Sequence, residues 1–373
     1  MTHRTRSLLV AVIAAGLLLA GCADGGQAGA PPSTTQDAST AQSSPPNSSA
    51  AATIKGAPQS LTDAVAERYA GSEVAGTAHL GRWRGDRIAV VVAGEDVTLA
   101  VQRKGSPWEV VGGWWPSLGE DGAVDLGGTR HVLLIGSDAR PGEPVDRSRA
   151  DALQLVGVDG QGGSGVMGFA RDVWAPIPGH GHGKLNSAMV YAGPKGQVGA
   201  LRSLTGITPR GYVLIDFEGF AEVIDDMGGL RFVAPFAMRS QMHGGQMRKG
   251  ALRLSGKDAL IWARERKTLP GGDFDRSRNQ GLLLAAAGVQ ARLDGPAHLP
   301  KALTAIDKHA KSNLTAEQML TFAACFYRVE LSKSGRVVAK GGFGTSPDGQ
   351  SIVVLDQASK TAFQDFKDGR LGS

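Results

Sequence analysis

The chain has 373 residues, 42% hydrophobic and 20% charged, enough to bury a sizeable core in one large domain with something smaller beside it. Its net charge of +5 is modest but unevenly used, because arginines cluster in the second half and acidic tails are absent. Charge alone leaves a nucleic-acid footprint open; the two cysteines leave no disulfide framework once the first is assigned to the N-terminal signal.

That signal is "THRTRSLLVAVIAAGLLLAGC". His3, Arg4 and Arg6 give a basic start, residues 8–20 an apolar run, and small residues precede Cys22. The run is shorter than the roughly 20 residues a spanning helix needs. "LAGC" resembles a bacterial lipobox, which implies removal of a signal peptide 1–21, lipidation of Cys22, and a body anchored through lipid to the extracytoplasmic face of the cell membrane. An ordinary cleaved signal and an uncleaved short anchor remain as alternatives. In each case the body lies outside the cytoplasmic membrane, so no nucleic-acid partner is expected. Cys325, in "FAACFYRV", reads as a small buried hydrophobe.

Residues 22–57 are rich in Ser, Thr, Pro, Gly, Gln and Ala, and read as a disordered tether, since so few apolar residues cannot offset the entropy of ordering. Residues 58–118 predict a small α+β accessory module. In "LTDAVAERYAG", Leu61, Val65 and Tyr69 fall on one helical stripe, and short β-rich runs follow. Trp108, Trp114 and Trp115 fit core or interface positions better than a sugar platform.

The large domain is expected over 125–373, with its core at about 130–292. The run 132–135 in "RHVLLIGSDAR" reads as a buried strand with polar residues at its end, where open α/β sheets place ligands. "ADALQLVGVDGQGGSGVMGFARDVW" reads as two strands joined by a glycine-rich turn. Gly163, Gly165 and Gly168 match GxGxxG in form only, because a strand rather than a helix follows. Helical patterns near "KGQVGALRSLTG" and "EGFAEVIDDMGG", with the strand "GYVLIDF" between them, predict an α/β fold with a three-layer α/β/α sandwich.

Its chemistry concentrates in "ARERKTLPGGDFDRSRNQ", where five cationic side chains and three carboxylates share eighteen residues and Arg outnumbers Lys four to one. Arg is preferred where a planar fork must grip phosphate or carboxylate. Asp138 and Arg140, Arg149 and Asp151, and Arg264 and Arg266 are each two apart, so extended backbone would turn each pair to one side. Arg276 and Gln280 are four apart and share a helix face. Two carboxylates flanked by guanidiniums suit Mg²⁺ bridging phosphate oxygens, and pyrophosphate is the simplest anion to use both. The bland alternative is a set of surface ion pairs. His180 and His182 lie in a glycine-rich loop that reads as solvated.

The ordered blocks "VLLIGSDAR", "RSRADALQLVGV", "GFARDVW", "GHGKLNSAMVYAGP", "GYVLIDFEGFAEVIDDMGG", "LSGKDALIWARER" and "GDFDRSRNQ" resemble the LytR-CpsA-Psr family of cell-wall glycopolymer ligases. The resemblance implies a Mg²⁺-dependent phosphotransferase, with Mn²⁺ as a substitute. Such an enzyme moves a glycopolymer from a polyprenyl-pyrophosphate carrier to a muramic acid hydroxyl of peptidoglycan through a phosphodiester. Carried over by position, Asp138 and Asp151 would hold the metal. Arg149, Arg171, Arg264, Arg266 and Arg276 would clamp the pyrophosphate, with Gln280 assisting. Asp172 and Asp273 would orient the arginines, or one would act as base; Arg140, Lys184, Asn186 and Tyr191 would contact substrate. The prenyl chain would lie in an apolar groove lined by 282–284 and 213–217. Arg278 and Asn279 depart from the pattern where many relatives carry Arg then Gln. Rival readings are a polyprenyl pyrophosphate or pyrophospholipid phosphatase and a non-catalytic carrier-lipid binding protein.

Overall fold

The computed structural model describes residues 52–120, 126–240 and 244–371. The signal segment, Cys22 and residues 22–51 of the expected tether lie outside the described residues. The described residues fall in one compact unit. Among the described residues no helix is long and apolar enough to cross a membrane.

The N-terminal part is a five-stranded sheet in chain order: β1 (Ala52–Lys55), β2 (Val74–Trp83), β3 (Asp86–Ala93), β4 (Asp96–Gln102) and β5 (Trp108–Trp114). β1 falls inside the stretch expected to be tether. Its parallel pairing with β2 and the burial of Ile54 order it, and neither contact shows in local composition. Helix α1 (Gln59–Arg68) covers the outer face of the sheet with Leu61 and Val65, joined by Tyr69, Trp108 and Trp115. All three tryptophans named above are core residues.

The central sheet has six strands in the order β16-β11-β6-β7-β8-β17, formed by β6 (Arg130–Ser137), β7 (Ala150–Val158), β8 (Ser164–Phe169), β11 (Gly211–Ile215), β16 (Lys311–Ser312) and β17 (Ser334–Ala339). β6, β7 and β8 form an antiparallel meander, while β11 and β17 add in parallel on either side. Side chains alternate, so Leu133, Leu155 and Met167 pack on one face against α2 (Ala188–Thr205) and α8 (Gln357–Asp365). Val132, Val156 and Val213 pack on the other, toward α6 (Leu299–His309) and α7 (Ala316–Arg328).

The same second core continues into Ile88, Leu99 and Trp114 of the N-terminal sheet. Helices α6 and α7 are thus shared between two sheets, and the three expected layers are extended by a fourth and fifth. Trp83 Nε1 donates to the Leu314 carbonyl at 2.9 Å, which fixes this seam. A third core lies under α3 (Phe217–Asp226), α4 (Gly256–Arg264) and the first half of α5 (Gly272–Asp294), around Trp262. The short pairs β9–β10 (Trp174–Pro176, His182–Lys184), β12–β15 (Leu230–Ala234, Gly250–Leu254), β13–β14 (Met238–Arg239, Gln246–Met247) and β18–β19 (Gly341–Thr345, Ser351–Leu355) decorate the sandwich.

Candidate active site

The site is built where β6 and β8 end, β7 begins and α5 starts. At the end of the β6–β7 ladder the Asp138 N–H donates to the Arg149 carbonyl at 3.0 Å, and the Arg149 N–H donates back to Asp138 Oδ1 at 2.8 Å. The two residues are held side by side by backbone. Helix α5 comes close because Gly168 has no side chain: a Cβ there would stand 2.3 Å from Ser277 Oγ. This approach brings Arg276, buried on α5, over Asp151 on β7. Arg276 Nη2 donates to the Asp151 carbonyl at 3.0 Å and lies 2.6 Å from Asp273 Oδ1. Arg171 Nη1 donates to Asp151 Oδ2 at 2.9 Å, and its backbone N–H donates to Asp273 Oδ2 at 3.0 Å. Asp172 pairs with Lys184 at 3.0 Å and stands 3.6 Å from Arg171 Nε.

Seven cationic groups (Arg140, Arg149, Arg171, Arg264, Arg266, Arg276 and Lys184) meet six carboxylates (Asp138, Glu143, Asp151, Asp172, Glu265 and Asp273) in this region. Salt bridges within the set use only Arg171, Arg276 and Lys184 as cations. Arg140, Arg149, Arg264 and Arg266 have none among the described residues. Arg264 instead lies over the Phe217 ring, 4.0 Å from its centroid. Burial, then Arg140 and Arg276, depress the pKa of Arg264. Burial likewise depresses that of Arg276, with Arg171 and Arg266 adding to it against the pull of Asp273 and Asp151. Burial works against Arg171 as well, but Asp151, Asp172 and Asp273 outweigh it and raise its pKa. The guanidiniums remain charged, so several positive charges stand close enough to oppose one another.

The LytR_cpsA_psr family profile matches residues 120–365, two thirds of the chain. The chain belongs to the LytR_cpsA_psr family. It is similar to the "Regulatory protein MsrR" of Staphylococcus aureus (strain Mu50 / ATCC 700699), 30% identical over 258 residues, covering 66% of this chain and 77% of that protein. It is also similar to "Polyisoprenyl-teichoic acid--peptidoglycan teichoic acid transferase TagU" of Bacillus mycoides (strain KBAB4), 28% identical over 232 residues, covering 61% of this chain and 74% of that one. The fold is shared with the crystal structure of B. subtilis TagV at a TM-score of 0.54 and 22% identity, over 65% of this chain and 98% of that structure.

Within this LytR_cpsA_psr domain the expected residues do not all stand alike. Arg264 and Arg266 are not an extended pair: Arg264 is the last residue of α4, and the chain leaves the helix at Glu265. The residue between them is what sets the loop. Glu265 has 0% exposure, and its Oε1 accepts the N–H groups of Arg266, Lys267 and Thr268 at 2.9, 2.8 and 3.2 Å. Burial works against its charge, but these bonds and one from Ser240 hold its pKa below the usual range. Sequence reasoning missed Glu265, because a glutamate between two arginines reads as surface charge.

Gln280 is a strut: its Nε2 donates to the Ala263 carbonyl at 3.1 Å and its Oε1 accepts from Gln154 at 3.2 Å. Asn186 is buried, with its backbone N–H donating to the Arg171 carbonyl at 3.2 Å. Tyr191 is 52% exposed and stacks on His180, 4.8 Å between centroids, outside the ion-pair network. Arg278 turns away and pairs with Asp275 at 3.2 Å. The segments 213–217 and 282–284 do not line one groove, since Val213 and Leu284 belong to the core shared with the N-terminal sheet, Leu214 to the opposite face, and Leu282 and Leu283 to the core around Trp262.

Asp138 and Asp151 fit a divalent cation. Asp151 Oδ1 is buried without a hydrogen-bond partner while its Oδ2 is paired with Arg171. Burial first and the Asp151 charge second raise the Asp138 pKa. No group of three or more metal-ligating side chains occurs among the described residues. A pair suits Mg²⁺, which takes its remaining ligands from phosphate and water.

Proposed function

We propose that this protein is a Mg²⁺-dependent phosphotransferase, lipid-anchored through Cys22 outside the cytoplasmic membrane. It moves a glycopolymer from a polyprenyl-pyrophosphate carrier to a muramic acid hydroxyl of peptidoglycan in cell-wall assembly. The name of the Bacillus relative states a transfer of this class. The observation that carries the reading is the set of four arginines without salt bridges around the Asp138–Asp151 pair.

In the reaction the acceptor oxygen bonds to the sugar-linked phosphorus, and the bridging P–O bond breaks. The electron pair stays on polyprenyl phosphate, and the hydroxyl proton passes to solvent. Phosphoryl transfer asks chiefly for alignment and charge stabilisation, which fixed guanidiniums supply. Arg171 and Arg276, locked by Asp151 and Asp273, hold non-bridging oxygens in place. Arg264 and Arg266, set by the turn that Glu265 anchors, answer the charge that grows on the leaving phosphate. When bound at Asp138 and Asp151, Mg²⁺ would neutralise the pyrophosphate. Asp172 and Asp273 orient cations, since each is already engaged by them.

Incubating the protein with a polyprenyl-pyrophosphate glycan and Mg²⁺, with and without peptidoglycan fragments, tests this reading by mass spectrometry. Acceptor-dependent release of polyprenyl phosphate together with glycan-bearing peptidoglycan is expected. Release without an adduct would make the protein a phosphatase, and binding without release a carrier protein.

A further inference from the structure

The clamp occupies one flank of the first turns of α5, through Asp273 and Arg276. The opposite flank, through Phe274, Arg278 and Leu282, borders a cavity of about 460 Å³ between α5, the edge strand β17 and the start of α8. Its wall carries Val166, Leu282 and Val337, and its cations are Arg278, Arg336 and Lys340. Arg278 is matched by Asp275. Arg336 and Lys340 are exposed, and neither has a salt bridge among the described residues. The carboxylate beside Lys340, Asp356, is committed to the N-cap of α8, where its Oδ1 accepts the Ser359 N–H at 2.7 Å. Phe274 adds an aromatic wall, and its ring centroid lies 6.2 Å from that of Phe343, which is 80% exposed on the β18–β19 hairpin.

We propose that this cavity receives the acceptor: a muramyl-peptide unit of peptidoglycan, whose sugar lies against the apolar wall and Phe274 while its carboxylates meet Arg336 and Lys340. The assignment rests on the transferase reading. Transfer needs a second substrate within reach of the clamp, and this cavity opens on the other flank of the same first turns of α5. Its lining suits an amphipathic, carboxylate-bearing molecule: a prenyl chain would leave the two cations unmatched, and a pyrophosphate would leave the apolar wall uncovered. A volume of this size lies in the range of small-ligand pockets and suffices for a muramyl sugar with the start of its peptide.

The test is calorimetric titration of the full chain with a soluble disaccharide-peptide fragment of peptidoglycan, alongside farnesyl pyrophosphate with Mg²⁺ as a probe of the clamp. The exposed positions make the double variant Arg336→Ala/Lys340→Ala benign for folding. It should weaken fragment binding about 10-fold or more, as expected for two lost charge-assisted contacts, and leave farnesyl pyrophosphate unchanged. A fragment with amidated carboxylates should bind the wild type as weakly as the unmodified fragment binds the variant. Equal binding of the fragment by variant and wild type overturns the proposal, as does no binding by wild type. Weakened farnesyl pyrophosphate binding in the variant would give the cavity to the donor and also overturn it. Fragment binding that depends on the two cations, in a protein that transfers nothing, would uphold the cavity and sink the transferase reading instead.

Discussion

Asp96, buried in the N-terminal sheet, and Asp151, partly buried in the central one, differ in how fully their oxygens are engaged. Asp96 is 2% exposed and uses both oxygens: Oδ1 accepts the Ser117 N–H at 3.0 Å, and Oδ2 accepts the Tyr69 and Ser117 hydroxyls, the former at 2.9 Å. Burial, and then Asp96 itself, push the Tyr69 pKa upward, so that phenol stays a donor. Nothing at Asp96 awaits a partner. Asp151 has one oxygen paired and one orphaned, beneath guanidiniums that crowd each other. Buried polar atoms are ordinarily satisfied, and under the proposed reading a bound cation would complete Asp151 Oδ1.

This contrast is sharpest in the clamp. Arg264→Ala should lower transfer about 10³-fold, in line with removing one preorganised donor to a developing anion, with the melting temperature little changed. Asp151→Asn should be comparably inactive, and transfer near the wild-type rate in acceptor-dependent assays of either variant would contradict the assignment. Arg276→Lys keeps the charge and loses the fork whose Nη2 reaches the Asp151 carbonyl and Asp273 while Nη1 faces the Asp151 carboxylate; about 10²-fold loss is expected, read as kcat. Glu265→Gln, which leaves a neutral acceptor for the three N–H groups, should cost about 10-fold, more in kcat than in donor affinity, because the turn carrying Arg266 loosens.

Asp96→Ala should behave oppositely. It leaves the Tyr69 hydroxyl and the Ser117 N–H unpartnered, at about 1–3 kcal/mol of stability by urea unfolding, while transfer per folded molecule stays at wild type. The smallest effect concerns His131, whose Nε2 shares a 2.7 Å hydrogen bond with the Phe366 carbonyl. Burial holds its pKa below the ordinary value despite that bond. The unfolded chain therefore takes up a proton near pH 6.5 that the folded chain takes up only at lower pH, so stability falls as pH drops below about 6.5. His131→Gln should flatten that part of the urea-midpoint profile.

The elements of the large domain were readable because each is a local pattern. The apolar run 132–135 lies in β6, and the glycine-rich turn follows Val158. What stayed hidden depends on distant partners. β1 is ordered by β2, and the N-terminal sheet shares its core with α6 and α7, which lie far along the chain. The site shows the same division. Residue types and positions around Asp138, Asp151 and Arg171 were legible, but the Arg264–Arg266 geometry was misread as extended, because the burial of Glu265 that ends α4 cannot be seen in a run of charges. Gln280 likewise reads as a ligand contact in sequence and is a strut in the fold, since only packing shows that Ala263 and Gln154 take up its amide.

The most direct measurement is calorimetric titration of the full chain with farnesyl pyrophosphate and farnesyl monophosphate, each with and without Mg²⁺, in wild type and Arg264→Ala. A pyrophosphate clamp predicts a Mg²⁺-dependent preference for the pyrophosphate of about 10-fold or more, erased by Arg264→Ala. Equal affinity for the two ligands, or a preference that survives loss of Arg264, would contradict it.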